Sequence, residues 1–174
     1  MHSFSFILSH IFLVFACLAL LGVITAQDYL VPRLRAKPIS TGLYGNPYKW
    51  YLNGSMVLLA VAVYGVVGFG GVVGIFAALT AISLVMVAAT DTFHKLLDSL
   101  THGHHEVLHL AFTGATFAGG AMLEVMSGHG WLLWCITVIN FGLPLGLYLG
   151  THRMDYVEKA AVLFLVIWLI VWAL

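Results

Sequence analysis

Long apolar runs separated by short polar punctuation set the plan of this 174-residue chain. A membrane-crossing helix needs about 20 predominantly apolar residues. Six stretches of roughly that kind can be marked off: 4–26, 51–67, 72–92, 107–126, 131–149 and 157–174. The polar segment 27–50, with Pro32, Pro38 and Pro47, separates the first two and is expected to be a loop or to lie on the surface. Gly68-Phe69-Gly70-Gly71 interrupts what would otherwise be a single helix of about twice the needed length, and is expected to form a tight turn. Ser127-Gly128-His129-Gly130 is expected to turn the chain again. The pattern predicts an all-α fold, an integral membrane bundle of six transmembrane helices forming one domain over residues 1–174.

Composition agrees. Only 8% of residues are charged, against about 25% in an ordinary soluble domain, and mean hydropathy is +1.02. Seven basic and seven acidic residues cancel, so no nucleic acid is expected as a partner; the bilayer is. Cys17 and Cys135 both fall within apolar runs and are expected as buried, unpaired thiols. The first run ends in Val-Ile-Thr-Ala-Gln, loosely like a signal-peptide cleavage site. Its leading residues contain no Lys or Arg and the run is long, so a retained helix is favoured.

Charge placement predicts an orientation. With six spans, Arg33, Arg35, Lys37, Lys49, Lys95, Arg153 and Lys159 share one face, and these are all the Lys and Arg residues in the chain. The positive-inside rule makes that face cytoplasmic and puts both termini on the extracytoplasmic side. A five-span count would divide the basic residues between faces. Trp131, Trp134, Trp168 and Trp172 are expected as interfacial or lipid-facing anchors, Pro144 as a kink, and Gly114, Ala118, Gly119 and Gly120 as points of close helix packing.

The candidate chemistry is concentrated. Residues 91–109 hold five of the nine histidines, His94, His102, His104, His105 and His109, together with Asp91, Lys95, Asp98 and Glu106. His105-x-x-x-His109 is a helical spacing that aims two imidazoles at one ion. His94 with Asp91 or Asp98 could complete a shell for zinc, iron or copper. The alternative is hydrogen bonding and ion pairing between the third and fourth spans. A polar face continues from His105 and His109 through Thr113, Thr116 and Gly120 to Glu124, and should turn inward. His10, Glu124 and His129 make a second polar group at the opposite face.

The segment Pro38-Ile39-Ser40-Thr41-Gly42-Leu43-Tyr44-Gly45-Asn46-Pro47-Tyr48-Lys49-Trp50 resembles the segment after the first helix in a family of small bacterial membrane proteins, catalogued as domain of unknown function 998. Asp91, His109, Phe112, Phe117 and Arg153 are also similar. The chain departs from that family's pattern in having Ala89-Thr90 where a Phe-Pro precedes the acidic residue. The resemblance implies six helices in a bacterial inner membrane and supplies no reaction.

Three functions are expected, in this order. The first is an accessory or binding subunit that packs against other membrane protein subunits, without enzymatic activity. The second is a metal-dependent enzyme acting on a lipid or apolar substrate at the 91–109 cluster. The third is an ion or proton pathway along the span that carries Glu124.

Overall fold

A computed structural model describes residues 2–31, 49–67, 71–101, 105–127 and 130–174, apart from the side chains of 2–5, 91, 94, 101, 105, 106, 154 and 155. The described residues form α1 (His2–Leu30), α2 (Lys49–Val67), α3 (Gly71–Thr92), α4 (His94–Thr101), α5 (His105–Ser127), α6 (Trp131–Thr151) and α7 (Met154–Ala173). A helix satisfies its own backbone groups, which lipid cannot do, so runs of this composition fold this way. Among the described residues, five helical segments are long and apolar enough to cross a membrane: Phe6–Leu30, Lys49–Val67, Gly71–Thr90, Trp131–Thr151 and Tyr156–Ala173. The protein is thus a helical membrane protein. α5 is of similar length but is diluted by its polar face and is not among these five.

The expected break between the second and third spans is present, with α2 ending at Val67 and α3 starting at Gly71. Gly71 has φ +63°, a left-handed conformation that suits glycine. Gly68-Phe69-Gly70, where the tight turn is expected, and Gly128-His129 lie outside the described residues. Helical hydrogen bonding carries on into the polar stretch, with Phe93 donating to the Ala89 carbonyl and Leu97 to the Phe93 carbonyl, both at 2.9 Å. Phe93 separates α3 from α4, whose Leu96 and Leu100 are exposed one turn apart. α6 and α7 make a tight hairpin in which His152, at φ 51°, donates its N–H to the Tyr148 carbonyl at 2.8 Å.

The long helices close on themselves. α1 packs on both α2 and α7, α2 on α3, α3 most extensively on α5, and α6 on α7. α5 meets α6 and α7 only thinly, leaving a seam. Lys159 donates to both oxygens of Asp28 (2.6 and 2.8 Å), tying the end of α1 to the start of α7. Both side chains are about three-quarters or more covered, at 21% and 25% exposure. Neutralising either partner is expected to lower stability by about 1 kcal/mol. Asp28→Lys with Lys159→Asp should recover most of the loss in thermal melts in detergent.

Where α3 and α5 cross, a Cβ on Gly119 would lie 2.6 Å from Thr80 Oγ1 and 3.1 Å from the Thr80 backbone nitrogen. This is the close approach expected of the small residues in α5. Gly120 sits under the Leu165 methyls of α7, while a Cβ on Gly114 would meet nothing within 4 Å.

Two expectations are corrected. Trp168 is fully buried, stacked on Trp172 at 5.7 Å between ring centroids, and does not face lipid. α7 has α1 on one side and α6 on the other, so the face carrying Leu165, Val166, Trp168 and Leu169 belongs to the core. Trp131 and Trp134 are exposed, as anchors should be. Cys17 is buried, but Cys135 is exposed because α6 packs chiefly on α7 and turns most of its circumference outward. Both thiols are free.

Candidate functional site

The polar face of α5 is the most concentrated set of buried polar groups. His109, Thr116 and Glu124 are buried and Thr113 is half-buried, all on one stripe at three- and four-residue steps. The stripe meets different neighbours along its length.

At the basic end it meets α3. His109 Nδ1 is 3.1 Å from Thr90 Oγ1, and the Thr90 hydroxyl also reaches the Val87 carbonyl at 2.9 Å. With the hydroxyl proton donated to Val87, His109 donates through Nδ1. Nearby, Asn53 Nδ2 donates to Thr92 Oγ1 at 3.1 Å, linking α2 to the same end of α3. His109 thus joins α5 to α3, and Asn53 joins α2 to α3.

One turn further on, the stripe faces the seam. Thr113, Thr116 and Phe117 of α5, Glu158, Val162 and Leu165 of α7 and Leu20 of α1, with Met56 and Leu59 of α2 and Leu84 and Val87 of α3, border a mainly apolar interior cavity of about 60 Å³. Thr113 donates its hydroxyl to the His109 carbonyl (2.8 Å) and Thr116 to that of Phe112 (2.9 Å). Their protons are therefore committed to the helix, and what they offer the cavity is lone pairs. Glu158 also borders the cavity, but its walls are overwhelmingly hydrocarbon.

Beyond the cavity, Leu165 lies over Gly120 and closes the seam with hydrocarbon. Past it sits Glu124, 1% exposed. Asn140 of α6 donates its amide to Glu124 Oε1. Oε2 is buried with no hydrogen-bond partner among the described residues. Thr137 of α6 is also at this carboxylate. Pro144, buried in α6, has no N–H to give the carbonyl four residues earlier, which is that of Asn140. The segment beside Glu124 thus pairs an amide side chain with a carbonyl released from the helix ladder.

The other candidate residues separate. His10 donates from Nδ1 to its own helix at the Phe6 carbonyl, 2.8 Å, with its ring beside Phe6 and 6.3 Å from Trp172. His129 lies outside the described residues, so the described partner of Glu124 is Asn140. Asp98 is exposed on α4. The side chains of Asp91, His94 and His105, and all of His102 and His104, lie outside the described residues. Among the described residues no three His, Cys, Asp or Glu side chains gather as a metal shell would.

Asn140, Thr137 and Glu158 were missed by sequence reasoning. A signal existed for Asn140, an amide within an apolar span four residues before a proline. Thr90 carried none, since a lone threonine in a span ordinarily bonds back to its own helix. No family model matches the chain, and neither a curated protein nor a solved structure matches it.

Proposed function

We propose that the chain is a six-span protein of the bacterial inner membrane that passes protons or a small cation along the seam between α5 and the α6–α7 hairpin. In this reading α5 crosses the membrane along with the five segments above, the basic end is cytoplasmic and both termini are extracytoplasmic. The observation that carries it is Glu124, a carboxyl group buried inside a transmembrane bundle. Such groups are costly to keep in a membrane and mark ion or proton paths. Leu165 over Gly120 is the hydrocarbon step that has to move between the two compartments.

The test is flux in liposomes under an imposed potential, read with a trapped pH dye and then with sodium- and potassium-selective dyes. The protein should collapse the gradient faster than empty liposomes, and Glu124→Gln should return the rate to that of empty liposomes while leaving the melting curve in place. Flux that is absent in the unaltered protein, or unchanged in Glu124→Gln, would sink the proposal.

A second reading, that of an accessory subunit, draws on α6. Trp131, Trp134, Val138, Phe141, Leu145 and Tyr148 are all exposed on a helix that packs mainly on one neighbour. Gentle solubilisation should then co-purify a stoichiometric membrane partner, and Phe141→Ala with Leu145→Ala should release it. A metal-dependent enzyme would need His94, His105 and Asp91 to assemble with His109. Elemental analysis of the purified protein, unaltered and as His105→Ala/His109→Ala, decides that reading.

A further inference from the structure

The outward side of the α2–α3 pair carries a furrow. Two hollows lie along it and share Val85 as a wall, one of about 390 Å³ near the basic end and one of about 310 Å³ beyond it. Small residues make the depth. Ala60, Ala81 and Ala88 are buried beneath it, and Gly54 leaves its rim open. Because α2 and α3 run antiparallel, Trp50 and Phe93 stand together at one end and Tyr64 lies toward the other.

The furrow's polarity is lopsided. Its apolar part runs from Gly54 to Tyr64, about 15 Å at ~1.5 Å per residue, which is the depth of one leaflet, half of a hydrocarbon core of about 30 Å. Polar groups gather at the Trp50 end, where the Asn53–Thr92 hydrogen bond lies and Lys49 Nζ sits 5.3 Å from the Trp50 ring.

We infer that this furrow holds one acyl chain of an anionic glycerophospholipid, with its phosphate at the Lys49 end. An apolar slot one leaflet deep fits a single chain. The Lys49 cation beside an interfacial tryptophan at its mouth complements a phosphate. The inference stands apart from the flux proposal, because the furrow is on the opposite side of α3 from the seam's chemistry and shares no residue with it.

The test is native mass spectrometry of the full chain, delipidated in mild detergent and then given equal phosphatidylglycerol and phosphatidylcholine in mixed micelles. The expected result is one phosphatidylglycerol per chain, in clear excess over phosphatidylcholine. A Cβ on Gly54 meets nothing within 4 Å, so Gly54→Leu should fill the furrow, abolish the adduct and leave thermal melting unchanged. Lys49→Gln should keep an adduct but erase the preference for phosphatidylglycerol. An adduct that survives in folded Gly54→Leu, equal uptake of the two lipids by the unaltered protein, or no adduct at all overturns the inference. So does a dimer that Gly54→Leu converts to monomer, since a second copy would then occupy the furrow.

Discussion

Gly119→Ala is expected to destabilise the protein by about 2–3 kcal/mol, the upper part of the range for overpacking a close-packed site. The added Cβ would lie 2.6 Å from Thr80 Oγ1 and 3.1 Å from the Thr80 nitrogen. The hydroxyl could swing away only by giving up its bond to the Phe76 carbonyl, and the backbone could yield only by moving α3 off α5. That crossing is the most extensive in the fold, so the strain spreads rather than relaxing locally. Gly114→Ala, whose Cβ meets nothing, is the matched control. It should be neutral or stabilising by up to ~1 kcal/mol through helix propensity. Thermal unfolding in detergent, followed by circular dichroism and size-exclusion profiles, separates the two outcomes. Equal melting curves for the two variants would show that α3 and α5 do not meet at Gly119.

Trp168→Ala is expected to cost roughly 3 kcal/mol, the low end of the range for deleting a large buried aromatic. The low end applies because the unfolded helix in a bilayer still has hydrocarbon around it. The loss is then that of packing and of the cavity left behind, with little transfer from water. Trp168 Nε1 is buried with no hydrogen-bond partner among the described residues. Trp168→Phe therefore sacrifices volume but no such bond and removes a desolvated donor, so it should cost under ~1.5 kcal/mol. Trp131→Ala, at an exposed position, should leave the melt unmoved. If Trp168→Ala proved as mild as Trp131→Ala, α7 would not be packed through this face.

The contrast between these two tryptophans explains what could be read from the sequence. In water, apolar residues identify the inward face of a helix. In lipid, surface and core are equally apolar, and that code is lost. Apolar run length therefore located the helices, and Gly70-Gly71 located the break between α2 and α3. Nothing in the runs said that Trp168 points inward or that Cys135 points outward. Polar and small residues escape the degeneracy because lipid does not accept the former and close packing selects the latter. The Thr113, Thr116 and Glu124 face and the Gly119 contact were accordingly legible. Their partners Glu158, Thr137 and Asn140 were not, because pairing depends on which helices become neighbours, and α5 meets α6 and α7 across a seam that periodicity does not encode.

The Asp28–Lys159 pair joins positions 131 residues apart, and the first and last helices of the chain lie side by side. During synthesis at roughly 5–20 residues per second, α1 waits on the order of 10 s before α7 exists. For that interval the inward side of α1 has only α2 as its eventual neighbour, and Asp28 is without the lysine that pairs with it. The insertion machinery or a membrane chaperone has to hold the N-terminal helices together until the last span leaves the ribosome. Truncations that stop before α7 should accordingly be cleared by quality-control proteases rather than accumulate.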